Sequence, residues 1–153
     1  MASDMATNRA RRLAAAALFV ALLAGCSREE TKYPELRARG GEVVVDLADI
    51  GSANGRFYSF RAGGGKRVDF LVYRDGAGAP HAVLDACRTC YRWRKGYLLS
   101  RGEVVCIKCD MVFKLDDLEK GTGSCVPIRL NAEGRGETLI IPAAELEAGA
   151  RYF

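Results

Sequence analysis

Residues Asp85–Phe113 read DACRTCYRWRKGYLLSRGEVVCIKCDMVF, and this stretch decides how the chain is organised. It contains two C-x-x-C pairs, Cys87/Cys90 and Cys106/Cys109, with fifteen residues between them. A C-x-x-C pair places two sulfurs on one tight turn. A second such turn across a hairpin completes a tetrahedron of four thiolates, and the spacing lies in the range of four-cysteine metal sites. Gly96 and the run Ser100–Glu103 supply the bend, and Val104-Val105 the strand that enters the second turn. Four thiolates suit zinc, a single iron or an iron–sulfur cluster, and ligand type alone does not choose among them. Four thiolates around a divalent ion also leave a net negative charge. Arg88, Arg92, Arg94, Lys95 and Lys108 stand beside the cysteines and could compensate it, form a patch for an acidic partner, or be solvated loop residues.

Outward from this stretch, short β-type runs recur: Glu42–Leu47, Arg56–Arg61, Arg67–Tyr73, His81–Leu84, Val104–Ile107, Ile128–Leu130 and Thr138–Ile141. Turn signals (GSANG, AGGG, DGAG, SRGE, KGTGS, EGRG) separate them. Helix is confined to one turn at Asp116–Glu119 and another at Ala143–Ala148, directly after Pro142. The expected fold is therefore a small, mainly β domain with two cysteine knuckles of zinc-ribbon or rubredoxin-like type and one or two short helices. No period of 20–50 residues is present, which excludes a solenoid. GGGK at Gly63–Lys66 lacks the earlier glycine of a phosphate loop and has Arg67 where Ser or Thr belongs, so it reads as a hairpin turn.

The first residues read as a processing signal. Arg9, Arg11 and Arg12 form a basic region, and the apolar run Leu13–Gly25 is thirteen residues long, whereas a spanning helix needs about 20. The junction Leu23-Ala24-Gly25-Cys26 resembles the lipobox of bacterial lipoproteins, in which the cysteine is acylated and becomes the new N-terminus. Residues 1–25 are then a lipoprotein signal peptide and residues 26–40 a flexible polar tether. Residues 41–153 form the metal-binding domain, anchored at the cell envelope by lipid on Cys26 and facing the periplasm or cell exterior. Arg11-Arg12 also admits twin-arginine export, though the flanking residues match that signal poorly. The 153-residue chain carries a formal charge of +4, and residues 26–153 only 20 basic against 18 acidic side chains. That balance gives no reason to expect nucleic acid. An oxidising compartment favours disulfides, but a C-x-x-C bridge closes a very short loop and staples little. Once Cys26 is acylated, five cysteines remain, an odd number.

The fifth of these, Cys125 in KGTGSCVPIRL, follows a glycine-rich turn and reads as an additional or replacement ligand, a redox thiol, or a small buried residue. His81 is the only histidine and is assigned a surface or hairpin role in preference to ligation. Tyr91, Trp93 and Tyr97 either cover the site or belong to the core. Haem attachment is excluded because Tyr91 and Asp110 follow the two pairs. No Ser–His–Asp or H-E-x-x-H arrangement is present, so no catalytic residue is assigned.

DACRTCY, KGY, GEVVCIKCDMVF and GSCVPIRL together resemble the FtrD-like membrane iron–sulfur protein family, from about Gly41 to Phe153. Asp85, Ala86, Cys87, Cys90, Gly96, Tyr97, Cys106, Cys109, Phe113, Cys125, Pro127, Ile128 and Leu130 carry the likeness, whereas Ser124, Val126 and Arg129 depart from it. The resemblance implies an iron–sulfur cluster or iron, with zinc as the alternative cofactor. It also implies electron transfer or metal handling linked to bacterial iron uptake, with a redox or iron-permease partner. A structural zinc ribbon and a periplasmic thiol–disulfide protein are the competing readings. Many members of the family carry membrane helices, so this chain reads as the tethered counterpart of such a module.

Overall fold

The computed structural model describes residues 32–118, 120 and 125–153; the signal region and Cys26 lie outside the described residues. Its centre is an antiparallel meander of β3 (Asn54–Arg61), β4 (Arg67–Arg74) and β5 (Pro80–Cys87). Strand β1 (Glu35–Leu36) pairs in parallel with β3, and β9 (Pro127–Arg129) pairs antiparallel with β5. The resulting five-stranded sheet has the order β1-β3-β4-β5-β9. A second sheet joins β10 (Glu133–Arg135), β11 (Thr138–Pro142) and β2 (Glu42–Asp46), and a third joins β6 (Tyr97–Ser100), β7 (Glu103–Cys106) and β8 (Val112–Lys114). Helix α1 (Ala143–Gly149) begins straight after Pro142, whose fixed φ suits a helix start.

Strand β4 is buried on both faces, and that determines the layering. Successive side chains on a strand point to opposite faces. Val68, Phe70 and Val72 therefore enter a core shared with Val43, Val45, Leu139, Ile141 and Leu146 of the second sheet and α1. Leu71 and Tyr73 enter a separate core shared with Tyr97, Val104, Leu115 and the cysteines. The same alternation divides β5: Ala82, Leu84 and Ala86 face the first core, while Val83 and Cys87 face the second. The central sheet thus separates a purely apolar layer from the layer that holds the sulfurs.

The mainly β expectation and the hairpin turn at Gly63–Gly65 match the structure. Part of the segment 26–40 expected to be a tether belongs to the fold: Pro34 O accepts the Ser59 N–H at 2.9 Å, Tyr33 stacks on Phe57 with centroids 4.9 Å apart, and Arg61 pairs with Glu35 at 2.9 Å. A polar segment joins the fold here because the β3 edge offers it unpaired backbone groups. The single turn expected from Asp116 lies one residue earlier, at Leu115–Asp117, where Leu115 is buried. Strands β6, β8 and β10 have no counterpart among the expected runs. Each is three or four residues long and has no apolar alternation that a period-2 reading could register.

Candidate metal centre

Three pieces of backbone deliver the sulfurs. Cys87 ends β5, and the turn after it brings Cys90 back, so that the Cys90 N–H donates to Cys87 Sγ at 3.2 Å. Cys106 ends β7, and the Asp110 N–H closes the second knuckle onto Cys106 O at 2.9 Å with Asp110 in a left-handed conformation. Between the knuckles, Arg101-Gly102 forms a two-residue hairpin loop with both φ positive, the geometry that matches strand twist. Cys125 arrives from β9. Pro127 pairs opposite Cys87, and the Arg88 N–H donates to Val126 O at 3.1 Å, so the residues just before β9 must lie beside the first knuckle.

Five sulfurs converge as a result. The Sγ atoms of Cys87, Cys90 and Cys125 lie within 4.8 Å of one another, as do those of Cys90, Cys106 and Cys109. Cys90 is common to both groups. Cys125 Sγ links them, 3.1 Å from Cys109 Sγ and 3.9 Å from Cys90 Sγ. These separations are well beyond the roughly 2.05 Å of a disulfide. Cys87, Cys90 and Cys106 are buried, whereas Cys109 and Cys125 are half-buried and mark where the site opens.

Two residues brace this arrangement. Tyr97 is buried; its N–H donates to Asp85 Oδ1 at 2.6 Å and its hydroxyl donates to Cys125 O at 3.0 Å. It belongs to the core of the site layer and also fixes the Cys125 backbone. Burial pushes the Asp85 carboxyl up to about 7, against the opposing pull of the Tyr97 N–H. Gly96, at φ +68, lets the chain pass so close that a Cβ there would sit 2.5 Å from Asp85 Oδ1, and its carbonyl accepts the Ile107 N–H of the second knuckle at 3.1 Å. A lone acid in the apolar run AVLDA is the sequence signal for such a bracing group, since a buried carboxyl needs a hydrogen-bond donor.

His81 lies elsewhere, its Nε2 in hydrogen-bond contact with Asp75 Oδ2 at 3.1 Å and its ring stacked on Tyr73 with centroids 5.1 Å apart. Tyr91 packs edge-on against Tyr152 in the other core, 5.2 Å between centroids. Trp93 is exposed, with Lys108 Nζ 5.0 Å from its ring centroid.

The donor set fits a thiophilic metal or cluster. Burial pushes the Cys106 thiol up to about 11 and raises Cys90 as well. The Cys125 thiol beside Cys109 lowers Cys109; at Cys87, burial acts upward but backbone N–H donors bring the net shift down. Packed thiols of this kind cannot all ionise together unaided, and a cation among them is what sustains a full set of thiolates. The family model described as membrane iron-sulfur containing protein FtrD-like matches residues 50–153. The chain belongs to this FtrD-like family. No curated protein matches the chain. The FtrD-like span takes in every described cysteine and the whole central meander, while β1 and β2 precede it. The family description implies an iron–sulfur centre and association with a membrane. Among the described residues, no helix is long and apolar enough to cross a membrane.

Proposed function

We propose that this protein is a membrane-anchored electron-transfer protein of the bacterial cell envelope, in which Cys87, Cys90, Cys106 and Cys109 hold an iron–sulfur centre or iron and Cys125 completes or exchanges with that set. The observation that carries this reading is the convergence of five sulfurs from three separate backbone segments in a member of an iron–sulfur family. When bound, such a centre supplies one-electron chemistry, with a potential set by hydrogen bonds to sulfur and by exposure. The chain's part is to hold the thiolates, donate the Cys90 N–H to Cys87 Sγ, and shield three of the five sulfurs from water. Lipid on Cys26 is the proposed anchor, and a redox or iron-permease protein at the membrane the proposed partner, linked to iron uptake. Purification without oxygen, followed by visible absorption and iron and sulfide analysis, tests this. A coloured protein with stoichiometric iron is expected, and a colourless protein holding one zinc overturns it.

A second reading, thiol–disulfide exchange, draws on the 3.1 Å approach of Cys109 Sγ to Cys125 Sγ. It expects a reducible bridge in mass spectrometry of the alkylated protein and no stoichiometric metal.

A further inference from the structure

We propose that the outer face of the β6-β7-β8 sheet, with the rim of the two knuckles, is a docking surface for an acidic protein partner; this rests on the electron-transfer reading above. Register places Leu98 opposite Val105 and Val105 opposite Val112, so the three form one row across the sheet. Their chain neighbours Tyr97, Val104 and Cys106 are buried on the inner face. Leu98 is 55% exposed and Val112 52%, and beside them Met111 is 46% and Trp93 53% exposed. These four are large apolar side chains left in water on one small sheet and its knuckles, a concentration that marks an interaction site. Val105 directly precedes Cys106, so the row borders the knuckle at which Cys109 opens the site.

Charge defines the partner. Residues 88–114 hold seven basic and two acidic side chains, whereas the rest of the chain holds 16 basic and 17 acidic. Arg88, Arg92, Arg94, Lys95 and Lys108 are all exposed. Elsewhere some arginines are ion-paired within the fold, as in Arg61–Glu35, Arg74–Glu137 and Arg135–Glu133, while the exposed Arg37, Arg39 and Arg56 are not, among the described residues. Among the described residues, none of the five basic residues at the knuckles makes an ion pair. Among the described residues no side chain of the five donates to a cysteine sulfur, although the Lys108 backbone N–H reaches Cys106. An apolar centre ringed by one sign of charge is how a transient protein interface combines contact with electrostatic steering. An anionic bilayer carries matching charge and is the alternative that the vesicle titration below distinguishes.

Trp93 is the only tryptophan, so incorporating 5-fluorotryptophan gives one 19F resonance within the patch. The holoprotein is titrated with an acidic flavodoxin, with basic cytochrome c, and with phosphatidylglycerol vesicles. A saturable shift is expected with flavodoxin at about 20 mM salt, lost at about 500 mM as charges are screened, with no response to cytochrome c. The variant Arg92→Glu/Arg94→Glu/Lys95→Glu should bind flavodoxin at least about tenfold more weakly with an unchanged visible spectrum. No flavodoxin shift, equal response to both proteins, affinity unchanged by charge reversal, or a response to vesicles alone each overturns the proposal. The 19F shift reads docking whether or not the centre is redox-active. An iron-free protein that still shows the shift defeats only the electron-transfer reading, and an iron-loaded protein without the shift defeats only the docking.

Discussion

Replacing Gly96 by alanine tests how the two knuckles are held in register. Gly96 has φ +68, which costs an L-residue about 1–2 kcal/mol. The new Cβ would also lie 2.5 Å from Asp85 Oδ1, 2.6 Å from Oδ2 and 2.7 Å from Cγ, so the carboxyl must move. Movement breaks its 2.6 Å hydrogen bond from the Tyr97 N–H and leaves buried groups unpaired, a further cost of about 1–3 kcal/mol. The total is about 2–5 kcal/mol. Gly64 is the matched control: its φ is +71, yet a Cβ there meets nothing within 4 Å. Gly64→Ala should therefore lose only the conformational share, about 1–2 kcal/mol. Urea unfolding of the protein as purified, with metal content measured on each sample, compares the two. Gly96→Ala should be the less stable by about 1–3 kcal/mol and should also lose metal, because the Gly96 carbonyl accepts the Ile107 N–H of the second knuckle. In an Asp85→Ala background the extra cost should vanish, since the clashing group is gone. Equal losses at Gly96 and Gly64, or an extra cost that persists without Asp85, would refute the reasoning.

Gly55→Ala places a Cβ 2.8 Å from Tyr73 Cβ and 2.9 Å from Val72 O, near one end of the β3–β4 pairing; overpacking there should destabilise the fold by about 1–3 kcal/mol in denaturant titration. Tyr97→Phe removes only the hydroxyl that holds Cys125 O; about 1 kcal/mol of stability should be lost, and Cys125 should alkylate faster by mass spectrometry. A chain starting at Gly41 lacks the β1–β3 pairing and the Tyr33–Phe57 stack. It should melt below a chain starting at Lys32 in calorimetry, whereas a purely flexible tether would leave Tm unchanged. Stripping metal with a mercurial should lower Tm, because a site assembled only in the folded state couples metal binding to folding.

Much of the site is legible in the amino-acid sequence. The two C-x-x-C pairs, the hairpin between them and the turns bounding the larger strands all depend on residues close together along the chain. The convergence of Cys125 is not legible there. It depends on β9 pairing with β5 across a separation of 40 residues between Pro127 and Cys87, and a run as short as PIR has no periodicity from which to choose its neighbour. Glu35-Leu36 escapes a sequence reading for a related reason, since a two-residue strand exists only because the β3 edge is there to receive it.

By itself, then, the sequence determined that four cysteines sit on two knuckles in a small β-rich domain, because knuckle and turn chemistry is local. Only the tertiary structure decided that five sulfurs meet, that Asp85 and Tyr97 brace them, and that an exposed apolar row lies beside the basic residues of the knuckles. Those outcomes follow from strand alternation across a sheet buried on both faces, which sends Phe70 and Leu84 to one core and Leu71 and Cys87 to the other. Which face becomes core and which becomes site is settled only when all three sheets are in place.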